Sequence, residues 1–167
     1  MRLAYFDCFS GLSGDMALAA LIHAGADFDS IAEVLHSFPS EDFSLQGEEV
    51  EVRGLSALRV HIESGPQGVI RTYANIRALL EEVELPGEVR RTAHRIYNRL
   101  ANAAAKVHGK DPELVTFVEF GELDCLVEFV GCALALHQLG VDRVFASPIP
   151  TGMGMARTEH GIMPIPS

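Results

Sequence analysis

The turn Asp7-Cys-Phe-Ser-Gly-Leu-Ser-Gly-Asp15-Met16 constrains this chain more than any other stretch. An apolar run, Leu3 to Phe6, leads into it and reads as a buried strand; Ala17 to Ala24 follows it and reads as a helix. Gly11 and Gly14 permit tight backbone geometry that a Cβ resists. Ser13 is placed to cap the helix, and Asp15 falls in its first turn, where the helix dipole favours a carboxylate. A small-residue loop at a helix N-terminus presents free N–H groups, so Ser10, Gly11, Ser13 and Gly14 form a candidate anion site. The same residues also make a well-capped strand-to-helix turn, and both readings stand. No Gly-Lys-Ser/Thr is present, so the loop is not a P-loop.

The rest of the chain alternates helices with short strands. The spacing predicts a buried helix over 14–24 stopped by Gly25, and a second helix capped by Asp27 with Phe28, Ile31, Leu35 and Phe38 inward. Alternation of Val50 and Val52, then of Leu58, Val60 and Ile62, predicts an antiparallel hairpin near residues 43–63 about Gly54. Thr72 caps a helix with Tyr73, Ile76, Leu80 and Val83 inward, and Leu85-Pro-Gly87 breaks the chain. A long helix follows, its expected inner face Val89, Ala93, Ile96, Leu100, Ala103 or Ala104, and Val107. Its Arg90, Arg91, Arg95, Arg99 and Lys106 read as a solvated face. Val115 to Glu119 is a strand, Asp124 caps a helix to Leu139, Arg143 to Ala146 is a further strand, and Met155 to Ile165 forms a hairpin about His160-Gly161. The class is therefore α/β, with α+β open: a mixed sheet covered by helices.

Charge excludes some partners. The formal net charge is −10 and no basic block occurs, which argues against nucleic acid and anionic membrane surfaces. The three Cys lack paired spacing, and no secretory leader pattern opens the chain, so a reducing cytoplasmic setting is expected. The Pro-rich apolar run from Ile162 to Ser167 leads us to expect that residues 1–167 are a single N-terminal domain of a longer chain.

No local motif names a reaction: Cys-x-x-Cys, His-Glu-x-x-His and Gly-x-Ser-x-Gly are all absent. The candidates are polar residues at strand ends and turns. Asp7 and Glu119 end strands, and Asp124 opens a helix. In open α/β sheets ligands gather outside the carboxyl ends of strands. Were the first strand and the Val115 strand parallel neighbours, Asp7, Asp15, Glu119 and Asp124 would converge, suiting a hard cation or acid–base work. Of the seven His, His108 at a helix end and His160 in a Gly/Pro-rich turn are the candidate ligands or proton carriers. Cys8 reads as a small buried residue at a strand end, with a soft-ligand role as the alternative.

Five ordered blocks carry a family resemblance: the Asp7–Met16 signature, Arg71-Thr-Tyr-Ala-Asn-Ile76, Ala105-Lys-Val-His-Gly109, Ala146-Ser-Pro-Ile-Pro150 and His160-Gly-Ile-Met-Pro-Ile-Pro166. Together they resemble the LarC family of nickel-pincer cofactor biosynthesis proteins. The resemblance implies a cytoplasmic nickel-insertion enzyme of the lyase class, a nickel chelatase or cyclometallase. Such an enzyme places nickel in an anionic pyridinium bis-thiocarboxylate mononucleotide, with CTP and Mg2+ or Mn2+, and serves the maturation of lactate racemase-type enzymes. It further implies a C-terminal nucleotide-binding domain as partner and leaves homo-oligomerisation open. Thr116-Phe-Val118-Glu119 stands where the family usually carries His-x-His-Glu, Val69 and Ile70 stand where a His often precedes the Arg-Thr-Tyr block, and Cys125 replaces a common Ser. A non-catalytic docking or oligomerisation module, or a diverged paralogue with altered chemistry, is the alternative reading.

Overall fold

In the computed structural model, residues 1–39, 43–64, 71–117, 123–158 and 161–165 are described. The chain divides into two compact units, Met1–Ser13 with Val141–Ser167, and Gly14–Gly140. Among the described residues, five α-helices and small parallel and antiparallel strand pairs make the expected mixed α/β class.

In the first unit, strand β1 (Leu3–Phe6) runs parallel to a strand at Arg143–Ala146, with Leu3 opposite Arg143 and Tyr5 opposite Phe145. Backbone bonds extend the ladder at both ends: the Asp142 N–H donates to the Arg2 carbonyl (2.9 Å) and the Ser147 N–H to the Phe6 carbonyl (2.9 Å). Ser147 in turn accepts the Cys8 N–H on its Oγ at 2.8 Å. Cys8 is buried, as a small strand-end residue should be, and it is the one core side chain of this unit among the described residues. The C-terminal hairpin also forms, Gly154–Thr158 against Gly161–Ile165. Glu159 and His160 lie outside the described residues.

The second unit holds the hydrophobic core. Helix α1 (Gly14–His23) buries Leu18, Ala19 and Leu21. Helix α2 (Phe28–His36) starts where Asp27 Oδ1 accepts the Asp29 and Ser30 N–H groups at 3.1 and 3.3 Å. Strands β2 (Phe43–Val52) and β3 (Leu55–Ser64) form the hairpin anticipated near residues 43–63. Its two-residue turn places Arg53 at φ 52° and Gly54 at φ 82°, the left-handed pair that matches strand twist. Strand β4 (Arg71–Thr72) leads into helix α3 (Tyr73–Glu82) through a reciprocal cap between Thr72 and Asn75.

Helix α4 (Gly87–His108) corrects one expectation. Its buried stripe is Val89, Ala93, Tyr97, Ala101 and Ala105, not the line through Ile96, Leu100 and Val107. Stepping by four keeps small alanines against neighbouring helices and sends the Tyr97 ring inward, 5.1 Å from Phe129 and 6.2 Å from Phe117. Val107 is left 82% exposed.

Strand β5 (Thr116–Phe117) supplies a second correction. Among the described residues it pairs antiparallel with β4, while β1 pairs with the Arg143–Ala146 strand, hereafter β6, and no pairing of β1 with β5 occurs. The Tyr73 N–H donates to the Val115 carbonyl at 3.2 Å, which fixes β5 beside β4 instead. Helix α5 (Leu123–Gln138) begins one residue before Asp124, placing that carboxylate in the first turn and not at the cap. Gly131 of α5 lets α1 approach: a Cβ there would lie 3.1 Å from the Leu18 methyl carbons.

Candidate functional site

Three helices of the second unit bring ionisable groups together around the start of α1. The stripe Asp124, Glu128, Cys132 steps by four along α5, an otherwise apolar helix, so all three lie on one face. Glu128 reaches the first turn of α1, where its Oε1 accepts the Asp15 N–H at 3.1 Å. The side chain thus does from another helix what an N-cap does from its own. Gly14 is required for this approach, because a Cβ there would sit 2.5 Å from Glu128 Cδ and 2.8 Å from its Cβ. The Cys132 thiol points at the Gly14 carbonyl, 3.8 Å away.

Electrostatics follow from that crowding. Burial pushes the Glu128 carboxyl above the usual carboxylate range, the Asp15 and Asp124 charges push it further, and the bond from the Asp15 N–H opposes them in part. Burial, helped by Glu128, pushes the Cys132 thiol up to about 12. Tyr97 is raised by burial first, then by Cys125 and Glu128, against the lowering pull of buried Arg71. Among the described residues the Ser44 Oγ on β2 and, at this cluster, the Tyr97 hydroxyl and Asp124 Oδ1 are buried without a hydrogen-bond partner. Buried polar atoms are nearly always satisfied, so the two at this cluster mark places where a further group can be received.

The arrangement can hold a proton on Glu128 to higher pH than an ordinary carboxyl does and can present carboxylate oxygens. Among the described residues no group of three or more His, Cys, Asp or Glu is set to hold a metal ion.

Of the residues singled out in the sequence, Asp15 and Asp124 meet through Glu128, and Gly14 makes the approach possible. His108 closes α4, eleven residues and about 16 Å along the axis from Tyr97, and is not brought to this cluster. Asp7, Ser10, Gly11 and Ser13 belong to the first unit. There the Gly11 N–H donates to the Cys8 carbonyl at 3.0 Å, Gly11 adopts φ 99°, and Asp7 and Ser10 are exposed. Glu119 and His160 lie outside the described residues. Glu128, Tyr97, Cys132 and Arg71 were missed. The four-residue spacing of Asp124, Glu128 and Cys132 in an apolar helix was the available signal; nothing in the sequence marks Tyr97.

A groove of about 860 Å3 lies elsewhere in this unit, between α3 and α4, lined by Tyr73, Arg77, Glu81, His94, Arg95 and Asn98 among others. Its charges are largely self-satisfied: Arg77 pairs with Glu113 at 2.7 Å and His94 with Glu81 at 2.9 Å. Size alone does not make it the site, since two of the three unsatisfied buried groups among the described residues, the Tyr97 hydroxyl and Asp124 Oδ1, are at the α4–α5 cluster.

Fold and cluster together define a mixed α/β protein with a proton-holding carboxylate site at a helix start. A family model described as "Nickel insertion protein" matches residues 4–167, and the chain belongs to that family. A Roseiflexus castenholzii relative that carries nickel insertion as a provisional name is 45% identical over 99% of this chain and 42% of its own. A Desulfitobacterium hafniense relative named "Pyridinium-3,5-bisthiocarboxylic acid mononucleotide nickel insertion protein" is 37% identical over 100% of this chain and 42% of its own. A Geobacter metallireducens relative, also provisionally named for nickel insertion, is 41% identical over 100% of this chain and 43% of its own. The chain therefore spans about two-fifths of the length of the curated relatives it matches. No solved structure matches the chain.

Proposed function

We propose that this chain is the N-terminal part of an enzyme that inserts nickel into pyridinium-3,5-bisthiocarboxylic acid mononucleotide. The match to the nickel insertion family over residues 4–167 carries the proposal, and the name of the 37%-identical relative supplies the substrate. The reaction is of the lyase, cyclometallase type and takes place in the cytoplasm. CTP with Mg2+ or Mn2+ belongs to a C-terminal nucleotide-binding domain corresponding to the further length of the relatives.

Within this chain the chemistry divides by charge. The mononucleotide is anionic, and the Ser10 and Ser13 hydroxyls, in the small-residue loop with Gly11 and Gly14, receive its phosphate or thiocarboxylates. Nickel is the cargo, and Asp15 and Asp124 beside Glu128 steer the cation and its protons. The thiocarboxylates are already ionised, so the proton displaced in a cyclometallation leaves the ring carbon whose C–H bond is replaced by the carbon–nickel bond. Glu128, whose carboxyl sits high for its type, adds to that set as the acceptor for a displaced proton.

The test joins this chain to the remaining region of the Roseiflexus castenholzii relative and supplies mononucleotide, Ni2+, Mg2+ and CTP. Product is followed by the mass gained as nickel enters. Nickel-bearing mononucleotide is expected, falling about a hundredfold with Asp15→Asn or Glu128→Gln. No product from the parent protein would refute the function; full activity in both variants would refute the residue roles.

A further inference from the structure

The first unit exposes apolar side chains that no folded protein leaves wet without a use. The parallel register sets Leu3, Tyr5, Arg143 and Phe145 on one face of the β1–β6 pair. Leu3 is 51% exposed, Tyr5 66% and Phe145 49%. Phe9, Leu12, Ile149 and Met153 of the same unit are exposed as well. The second unit, three times as long, keeps almost all of the core. Parallel strands occur buried on both faces, and a two-stranded sheet is marginal by itself. Among the described residues β1 and β6 have no other strand beside them, so each also offers an open backbone edge.

We infer that the Leu3–Tyr5–Phe145 face and the adjoining strand edges are the docking surface for the region by which the longer relatives exceed this chain. That region is substantial, since the match covers 99% of this chain but only 42% of the Roseiflexus castenholzii relative. It docks by laying an apolar strand or helix face over Leu3, Tyr5 and Phe145. Charge favours this occupant over a nucleic acid or an anionic membrane: the chain carries −10 and Arg143 is the one basic residue in the patch. The inference does not depend on the nickel chemistry.

Hydrogen exchange tests it on two proteins, the 167-residue chain alone and the same chain joined to that region of the relative. Amides of residues 3–6 and 143–146 are expected to exchange at least about tenfold more slowly in the joined protein. The joined Tyr5→Glu/Phe145→Glu variant should lose that protection, whereas joined Leu55→Glu, changed at an exposed hairpin residue of the other unit, should keep it. Equal exchange in the chain alone and the joined protein would overturn the inference. So would protection in the chain alone that grows with concentration to match the joined protein, which would assign the face to a second copy. If the double variant does not fold, the comparison of the two parent proteins decides. None of these readouts requires nickel or mononucleotide, so the docking surface and the proposed activity fail separately.

Discussion

Gly14→Ala measures how closely α5 approaches the start of α1. In an ordinary helix the change stabilises by about 0.5–1 kcal/mol, because glycine loses more backbone freedom on folding. Here the added methyl meets Glu128 Cδ at 2.5 Å and Cβ at 2.8 Å. The carboxylate can swing aside, but the Cβ is fixed to α5 and requires the helices to separate, an overpacking cost of about 1–3 kcal/mol. Swinging aside also releases the Asp15 N–H, a bond to a charged group worth about 1.5–3 kcal/mol. The two costs overlap, and the net expectation is a loss of about 2–4 kcal/mol. With a urea slope of about 1–3 kcal/mol per molar, the unfolding midpoint should fall by about 1–2 M. In a Glu128→Ala background the same change should cost at least about 1 kcal/mol less, since part of the collision and all of the bond are already gone. A midpoint unchanged or raised by Gly14→Ala would refute the close approach.

Three further outcomes follow from the same coordinates. Glu128 titrates higher in the folded than in the unfolded chain, so its contribution is fully present below the ordinary glutamate range and is lost as pH rises through its raised value. Unfolding experiments across that window should show stability declining with pH in the parent protein and declining less in Glu128→Gln. Cys132, held at about 12, should carry about three powers of ten less thiolate at pH 8 than a free cysteine, so mass spectrometry after iodoacetamide should find it modified far more slowly than free cysteine under the same conditions. Arg53→Asn places the preferred residue in the left-handed turn position and should raise stability by about 0.5–1 kcal/mol, read as a higher unfolding midpoint.

Local signals in the sequence carried much of the fold. Asp27, Thr72 and Gly54 each announce a cap or turn through a mechanism confined to a few residues, and each acts as expected. What failed depends on which neighbours an element meets. The inner face of α4 could be drawn through Ile96 or through Tyr97, and only the ring contacts with Phe117 and Phe129 decide for Tyr97. The strand partner of β5 could be posed only as a condition, because pairing order is a tertiary property. Asp15 and Asp124 were legible as helix-start carboxylates. Glu128 was not, because its importance comes from a contact spanning 113 residues of sequence.

The central claim is that the Asp15–Glu128 junction belongs to the functional site of this chain. Amide NMR during titration with pyridinium-3,5-bisthiocarboxylic acid mononucleotide tests it most directly. The largest shifts should fall on Gly14, Asp15 and Glu128 and shrink in Glu128→Gln. Shifts confined to the α3–α4 groove, at Tyr73, Arg77 and Asn98, with none at Asp15, would contradict the account.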